Sequence, residues 1–85
     1  MKYIWSTQAW NDYLYWQETD RKTAKRINAL IKDISRNGND GIGKPEPLKY
    51  ELSGYWLRRI TDEHRLVYKY TDDALNLAMG RYHWI

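Results

Sequence analysis

Residues 21–36 combine one apolar stripe with one strongly basic face, and they constrain the fold more than any other segment. Apolar side chains recur there at three- and four-residue spacing, which predicts an amphipathic helix. The stripe is formed by Ala24, Ile27, Leu30, Ile31 and Ile34. The other face carries Arg21, Lys22, Lys25, Arg26, Lys32 and Arg36, with Asp33 as its single acid. Because 85 residues have room for one hydrophobic core, the stripe must pack within a single domain spanning residues 1–85.

A shorter helix is predicted in front of this segment. Ser6 is a suitable N-cap, and a stripe of mostly large side chains follows it. That stripe contains Ala9, Trp10, Tyr13, Leu14 and Gln17. Residues 18–20 supply cap residues between the two helices, and Asn37-Gly38 is a typical helix end. The two helices are therefore expected to form a hairpin with one apolar side and one basic side.

Strands are predicted on both sides of this hairpin. Residues 2–5 are aromatic and β-branched, as expected of a short strand, whereas residues 37–47 are rich in Gly, Asn and Pro and predict a loop. Three more strands are predicted at 55–61, 65–71 and 74 to about 84, separated by turns at 62–64 and 72–73. The predicted fold is α+β with the order β-α-α-β-β-β, in which the helical hairpin packs on one face of an antiparallel sheet. The strand register stays open, because the turns could close with two, three or four residues.

Composition narrows the classes of function. The chain has no cysteine, which excludes disulfides, thiolate metal sites and cysteine nucleophiles. No apolar run approaches the roughly 20 residues that a membrane-spanning helix needs. The net charge of +3 is compatible with a polyanionic partner. We therefore expect a soluble, cytoplasmic protein that does not contact a membrane.

Two short motifs suggest chemistry that their context does not support. Residues 38–44 fit the pattern G-x-x-x-x-G-K of a phosphate-binding loop, but a basic helix precedes them and Pro45 replaces the required Ser or Thr. Residues 62–64, Asp-Glu-His, are three potential metal ligands in a row. Adjacent residues of a turn point in different directions, so solvated side chains are the simpler interpretation.

Glu46 is the first candidate catalytic residue, since two flanking prolines restrict its backbone. A solubilising loop carboxylate is the commoner explanation of such a residue. Strand alternation sends Arg58 and Arg59 to opposite faces, so at least one of them points among apolar side chains and needs an anionic partner. A bound phosphate would serve, and an internal salt bridge with Glu46 or Glu51 would serve as well.

His83 is the second candidate, although a histidine near a chain end is most often an exposed residue without a role. Trp84 follows it. A carboxylate, arginines, an imidazole and an aromatic ring could together cleave RNA without a metal. Attack by the 2′-hydroxyl needs a base, an acid for the leaving 5′-oxygen and cations for the charge at phosphorus. Stacking on the aromatic ring would hold a base of single-stranded RNA. Spacing alone does not show that these residues converge.

Segments along nearly the whole chain resemble the YoeB toxins of the RelE-type superfamily. The similar segments are 13–20, 43–49, 52–54, 56, 58–61, 63–68 and 81–83. The resemblance implies a RelE-like microbial ribonuclease fold and a toxin of a type II toxin–antitoxin system. It further implies an endoribonuclease that enters the ribosomal A site and cuts messenger RNA.

The resemblance also implies residue roles and partners. Glu46 would be the general base, His83 the general acid and Arg65 the cation that stabilises the transition state. Lys49 and Arg59 would assist in binding phosphate. The implied partners are a YefM-like antitoxin that covers the site, the ribosome with its messenger RNA, and a second copy of the chain in a homodimer.

Two positions depart from the family pattern. YoeB chains commonly end in His-Tyr, whereas here Trp84 and Ile85 follow His83. Trp84 can stack on a base as a substrate-binding residue, but it lacks a phenolic hydroxyl. Tyr50 occupies a position where a histidine is expected.

Two other functions remain open on the same architecture. A ParE-like toxin would bind DNA gyrase and cut no RNA, so it would not need the proposed catalytic set. A DNA-binding module that represses its own promoter together with an antitoxin could coexist with the enzyme.

Overall fold

The computed structural model describes residues 1–82. Two helices, α1 and α2, span Thr7–Thr19 and Arg21–Asn37. The strands are β1 (Lys2–Trp5), β2 (Glu46–Pro47), β3 (Trp56–Arg59), β4 (Arg65–Tyr70) and β5 (Ala74–Met79), with a 3-10 turn at Tyr50–Leu52. The predicted α+β fold, with a helical hairpin packed on one sheet face, is confirmed. Within residues 1–82, no helix is long and apolar enough to cross a membrane.

Both helices begin at the caps that the sequence indicates. The Ser6 hydroxyl accepts a hydrogen bond from the amide of Ala9 at 2.9 Å. The carboxylate of Asp20 likewise accepts from the amide of Thr23 at 3.2 Å, and α2 follows directly. Gly38 ends α2 with φ +65°. These caps satisfy backbone groups at helix ends that have no intrahelical partner.

The buried stripe of α1 differs from the predicted one. Ala9, Asp12 and Trp16 are buried, whereas Trp10 and Leu14 are 45% and 40% exposed. A carboxylate in the buried stripe is unexpected from hydrophobicity alone. It is stable there because Asp12 accepts a hydrogen bond from the backbone amide of Gly80 at 3.0 Å. The group that satisfies this buried carboxylate therefore lies 68 positions further along the chain.

The sheet is mixed, not fully antiparallel as predicted. Its strand order is β1-β5-β4-β3-β2, and β1 runs parallel to β5 while all other pairs are antiparallel. Strands β3, β4 and β5 follow each other through short turns, which impose antiparallel pairing. Strand β1 reaches β5 through packing of the helices, so no turn determines its direction.

The structure has one strand more than the predicted order β-α-α-β-β-β, and its last strand is shorter than predicted. Glu46 and Pro47 pair with β3 inside the predicted loop, and proline is tolerated because β2 is an edge strand. Strand β5 ends at Met79, short of the predicted end at about residue 84. The backbone of Gly80 turns to side chains of α1 for its hydrogen bonds.

The two faces of the sheet have separate cores. The helix face packs Leu66, Tyr68, Leu75 and Leu77 against α1 and α2. The opposite side, called the outer face below, carries Leu57, Val67 and Met79 with Leu48 buried against them. The outer face is therefore not covered by the helical hairpin.

Arg58 lies on the helix face and is fully buried. All five of its N–H groups have acceptors within the protein, which is the full donor capacity of a guanidinium. The acceptors are the Asp33 carboxylate, the Tyr68 hydroxyl (3.1 Å) and the carbonyls of Gly38 (2.7 Å), Asp40 (2.8 Å) and Ile42 (3.0 Å). The partner of this arginine is thus Asp33 of the basic helix, and not Glu46 or Glu51 as the sequence suggested.

This arrangement also explains the phosphate-loop pattern at residues 38–44. A phosphate-binding loop directs backbone N–H groups at an anion. Here the carbonyl oxygens of the loop point at the cationic side chain of Arg58 instead. A Cβ atom on Gly41 would overlap the Asp33 carboxylate, so only glycine lets the loop approach Asp33 this closely. The loop binds a side-chain cation and has the wrong polarity for a phosphate.

Acid is expected to weaken the link between Asp33 and Arg58. The hydrogen bond from Arg58 holds the pKa of Asp33 below its ordinary value of 3.8. A carboxyl with a lowered folded-state pKa stabilises the protein above its unfolded pKa and loses that contribution as pH falls through the folded value. We expect Asp33→Asn to be less stable than wild type at pH 6, and the difference to shrink as the pH falls below 3.8. Urea unfolding of both proteins at pH 6 and at a pH below 3.8 measures the difference in the free energy of unfolding. An equal difference at the two pH values would contradict the prediction.

Candidate active site

The strand register places three of the predicted site residues on the outer face. Glu46 in β2 is opposite Leu57 in β3, and Arg59 in β3 is opposite Arg65 in β4. Leu57 belongs to the outer-face core, and Arg59 is two residues further along the same strand. Because side chains alternate along a strand, Glu46, Arg59 and Arg65 share one face. Glu46 and Arg59 are diagonal neighbours, about 7–8 Å apart at the backbone.

Glu46 is exposed but held by its neighbours in the chain. It lies in the two-residue edge strand β2, whose pairing with β3 fixes its backbone. Two residues later, the side chain of Leu48 is buried in the outer-face core and its amide donates to the carbonyl of Tyr55 at 2.9 Å. The carboxylate of Glu46 therefore projects from a fixed backbone into solvent at the sheet edge.

Arg65 is held much more tightly, with only 8% of the residue exposed. Its Nη1 nitrogen donates to the carbonyls of Thr61 (2.7 Å), Asp62 (3.2 Å) and His64 (3.1 Å). These carbonyls belong to the turn between β3 and β4. The turn thus fixes one edge of the guanidinium, which preserves the orientation of its other N–H groups.

Arg59 and Arg65 form a cross-strand pair of like charges, which is unfavourable in an isolated sheet. Within residues 1–82 no carboxylate lies in ion-pair distance of either side chain. An anion bound between them would relieve the repulsion and accept charged hydrogen bonds. The pair therefore has the electrostatics of a phosphate site, with Glu46 beside it.

The remaining predicted site residues are Lys49, His83 and Trp84. Lys49 is exposed and lies three positions after Glu46, directly before the 3-10 turn. Tyr50, next to it, is 91% exposed and has a positive φ of 58°. His83 and Trp84 lie outside the described residues. The structure thus brings Glu46, Arg59 and Arg65 to one face, and it places Lys49 in the same stretch of chain as Glu46.

Gly80–Tyr82, called the C-terminal segment below, is bound through its backbone to two other parts of the protein, helix α1 and residues 64–65. The Trp16 indole nitrogen donates to the carbonyl of Gly80 at 2.7 Å, while Asp12 accepts from the amide of Gly80. The amide of Tyr82 donates to Nδ1 of His64 at 2.6 Å. The carbonyl of Tyr82 accepts from the amide of Arg65 at 3.1 Å. The described chain therefore ends directly beside Arg65.

Side-chain packing adds to these hydrogen bonds. The Arg81 guanidinium lies 3.6 Å from the ring centre of Tyr15 and 4.7 Å from that of Tyr82. The rings of Trp16 and His64 meet edge to face at 4.7 Å. Burial raises the pKa of Asp12, although the hydrogen bond from Gly80 opposes that shift. Arg81 thus joins the segment to α1 through Tyr15, and the Trp16–His64 contact joins the two parts of the protein that bind the segment's backbone.

Sequence reasoning missed three residues of this arrangement: Asp12, Trp16 and His64. His64 was interpreted as a solvated turn residue, yet it is half-buried and accepts a hydrogen bond. One signal was available, because Asp12 falls between two buried positions at helical spacing. Among residues 1–82, no three His, Asp or Glu side chains are grouped so that they could hold a metal ion.

The fold and the outer-face site define a small α+β protein whose sheet presents a cationic pair beside a carboxylate. Residues 5–84 match the family of YoeB-like toxins of bacterial type II toxin–antitoxin systems. The chain belongs to this family.

Members of this family are similar to the chain both in sequence and in structure. The toxin YoeB of Escherichia coli K12 is 63% identical over 84 residues, which cover 99% of this chain and 100% of that protein. The YoeB dimer from Staphylococcus aureus is 49% identical with a TM-score of 0.93, covering 99% of this chain and 98% of the other. In the YoeB–YefM complex from the same organism, the matched chain is 48% identical with a TM-score of 0.91 at the same coverage.

Proposed function

We propose that this chain is a ribosome-dependent endoribonuclease that cuts messenger RNA in the A site and thereby inhibits translation. The observation that carries the proposal is the placement of Glu46, Arg59 and Arg65 on one face of the sheet. Family membership supports the toxin role. The ribosome is in the cytoplasm, which is where we place the activity.

The chemistry would start at the 2′-hydroxyl of the nucleotide before the cut. Glu46 removes its proton as general base, and the resulting oxygen attacks the adjacent phosphorus. Arg65 donates to the phosphate oxygens that gain charge in the pentacoordinate transition state, as a fixed cation can do without reorganisation. Lys49 and Arg59 bind the phosphate in the ground state. Acid and base groups are each typically worth about 100- to 10,000-fold in rate.

His83 would complete the reaction by protonating the 5′-oxygen as it leaves, which breaks the P–O bond and yields a 2′,3′-cyclic phosphate. Trp84 would stack on a base next to the cut. A base, an acid and cations are then all supplied by side chains, so the proposed reaction needs no metal or cofactor.

We further propose that a YefM-like antitoxin inhibits the chain and that the chain forms a homodimer. Both assemblies occur among its relatives, in the YoeB–YefM complex and the YoeB dimer from S. aureus. A cationic pair without a carboxylate partner among the described residues is suited to an acidic antitoxin segment as well as to RNA.

Primer extension on messages from cells that express the chain tests the proposed function. We expect cuts inside reading frames, and we expect them to disappear when the start codon of the message is removed. Intact messages together with loss of DNA supercoiling would instead support the gyrase-binding alternative. Co-expression of a YefM-like antitoxin should suppress the cuts.

His83→Gln is expected to slow cleavage by about 100-fold or more, since glutamine cannot deliver a proton to the leaving oxygen. Primer extension and single-turnover cleavage on programmed ribosomes measure the loss. Antitoxin binding and thermal unfolding serve as controls and should not change. Cleavage at the wild-type rate would show that the acid is another group.

A further inference from the structure

We propose that Asp12, Trp16 and His64 are positioning residues for RNA cleavage, which act by fixing the chain from which His83 continues. The inference rests on the proposed function, in which His83 is the general acid. None of the three residues belongs to the proposed catalytic set. All three bind the backbone of the C-terminal segment.

The hydrogen bonds restrain the segment at both of its ends. Asp12 binds the amide of Gly80 and Trp16 binds its carbonyl, so α1 holds both backbone polar groups of the first residue. His64 binds the amide of Tyr82, and Arg65 binds its carbonyl through the main chain. The last described peptide is therefore tied to the turn that also holds the Arg65 guanidinium.

Strand pairing within the sheet does not require this restraint. Strand β5 has already ended at Met79, and its pairing with β1 and β4 is complete by then. Tyr82 also has a positive φ of 66°, which costs free energy for a residue other than glycine. Strain at a site fixed by several independent contacts is typical of functional positions.

Precise placement matters for an acid that must protonate one oxygen. A displacement of about 1 Å can slow a reaction by about 100-fold. Loss of one hydrogen bond to the C-terminal segment should therefore reduce cleavage while RNA binding stays unchanged. We expect His64→Ala and Asp12→Ala to lower the single-turnover rate by about 10- to 100-fold on programmed ribosomes.

Conservative variants distinguish the loss of a hydrogen bond from the loss of side-chain volume. His64→Asn keeps an acceptor close to the position of Nδ1, and Asp12→Asn keeps an oxygen for the amide of Gly80. Both should restore most of the rate that the alanine variants lose. Trp16→Phe removes the donor to Gly80 and should slow cleavage, whereas Trp10→Phe on the exposed side of the same helix should not.

The decisive readout is a message whose scissile 5′-oxygen is replaced by sulfur. A thiolate leaves without protonation, so this substrate needs no general acid. His83→Gln and the His64→Ala and Asp12→Ala variants should all cut it at nearly the wild-type rate, while Glu46→Gln should stay slow. If the alanine substitutions only impaired folding, they would slow cleavage equally on both substrates.

Two results would overturn the inference while leaving the proposed function intact. One is wild-type rates for folded alanine variants on the natural message, and the other is equal slowing on both substrates. A wild-type protein that cuts neither substrate would overturn the proposed function and this inference with it.

Discussion

Glu46→Gln is expected to slow messenger RNA cleavage by about 100- to 10,000-fold, the usual contribution of a general base. Glutamine has the same shape but cannot accept the 2′-hydroxyl proton at neutral pH. Glu46 is exposed at an edge strand, so the change should alter the free energy of unfolding by no more than about 0.5 kcal/mol. Single-turnover cleavage on programmed ribosomes and thermal unfolding measure the two effects separately.

Glu51→Gln is the matched control for this prediction. Glu51 is an exposed carboxylate five residues later in the chain, within the 3-10 turn. Its replacement removes the same negative charge from the same stretch of surface. If both variants slowed cleavage equally, the effect would be one of local charge and Glu46 would not be the base. A Glu46→Gln protein with normal activity would likewise exclude it.

The ends of the helices and the buried stripe of α2 could be predicted from the sequence, because residues nearby in the chain determine them. The caps at Ser6 and Asp20 and the end at Gly38 are set by residues within the same few positions. The apolar stripe of α2 was also predicted correctly, since four of its five members are buried and Ile31 packs against the same core. These features depend on helix periodicity and capping alone.

Long-range contacts account for the parts that could not be predicted. Asp12 lies on the buried face of α1, and its hydrogen-bond partner Gly80 is 68 positions away. The parallel pairing of β1 with β5 likewise depends on how the helical hairpin crosses the sheet. No local pattern encodes either contact.

The arrangement of the candidate site could not be predicted from the sequence. Strand alternation correctly sent Arg58 and Arg59 to opposite faces, but it could not say which one meets the helices. Only the register shows that Arg59 is opposite Arg65 and that Glu46 shares their face. The acid that neutralises Arg58 belongs to a helix whose exposed face is otherwise basic.

Arg58→Met is expected to destabilise the fold by about 3–5 kcal/mol, the usual cost of removing one partner of a buried ion pair. Methionine fits the apolar surroundings, yet three carbonyls, the Tyr68 hydroxyl and the Asp33 carboxylate would each lose a hydrogen bond that Arg58 donates. For a domain of this size, the melting temperature should fall by at least about 10 °C. Calorimetry measures the shift. The amide of Ile42, which donates to Asp33 at 3.1 Å, should also lose protection from hydrogen exchange.

Arg59→Met provides the matched control, since it removes the same charge from the next residue of the same strand. Arg59 is exposed on the outer face opposite Arg65, so its loss relieves repulsion and should change stability by no more than about 0.5 kcal/mol. Arg58→Lys keeps the charge but offers three donors in place of five, and should recover little of the lost stability. Equal melting temperatures for the Arg58→Met and Arg59→Met proteins would contradict the role of Arg58. That role is to fold residues 38–42 around its guanidinium and so to hold the loop that leads to Glu46.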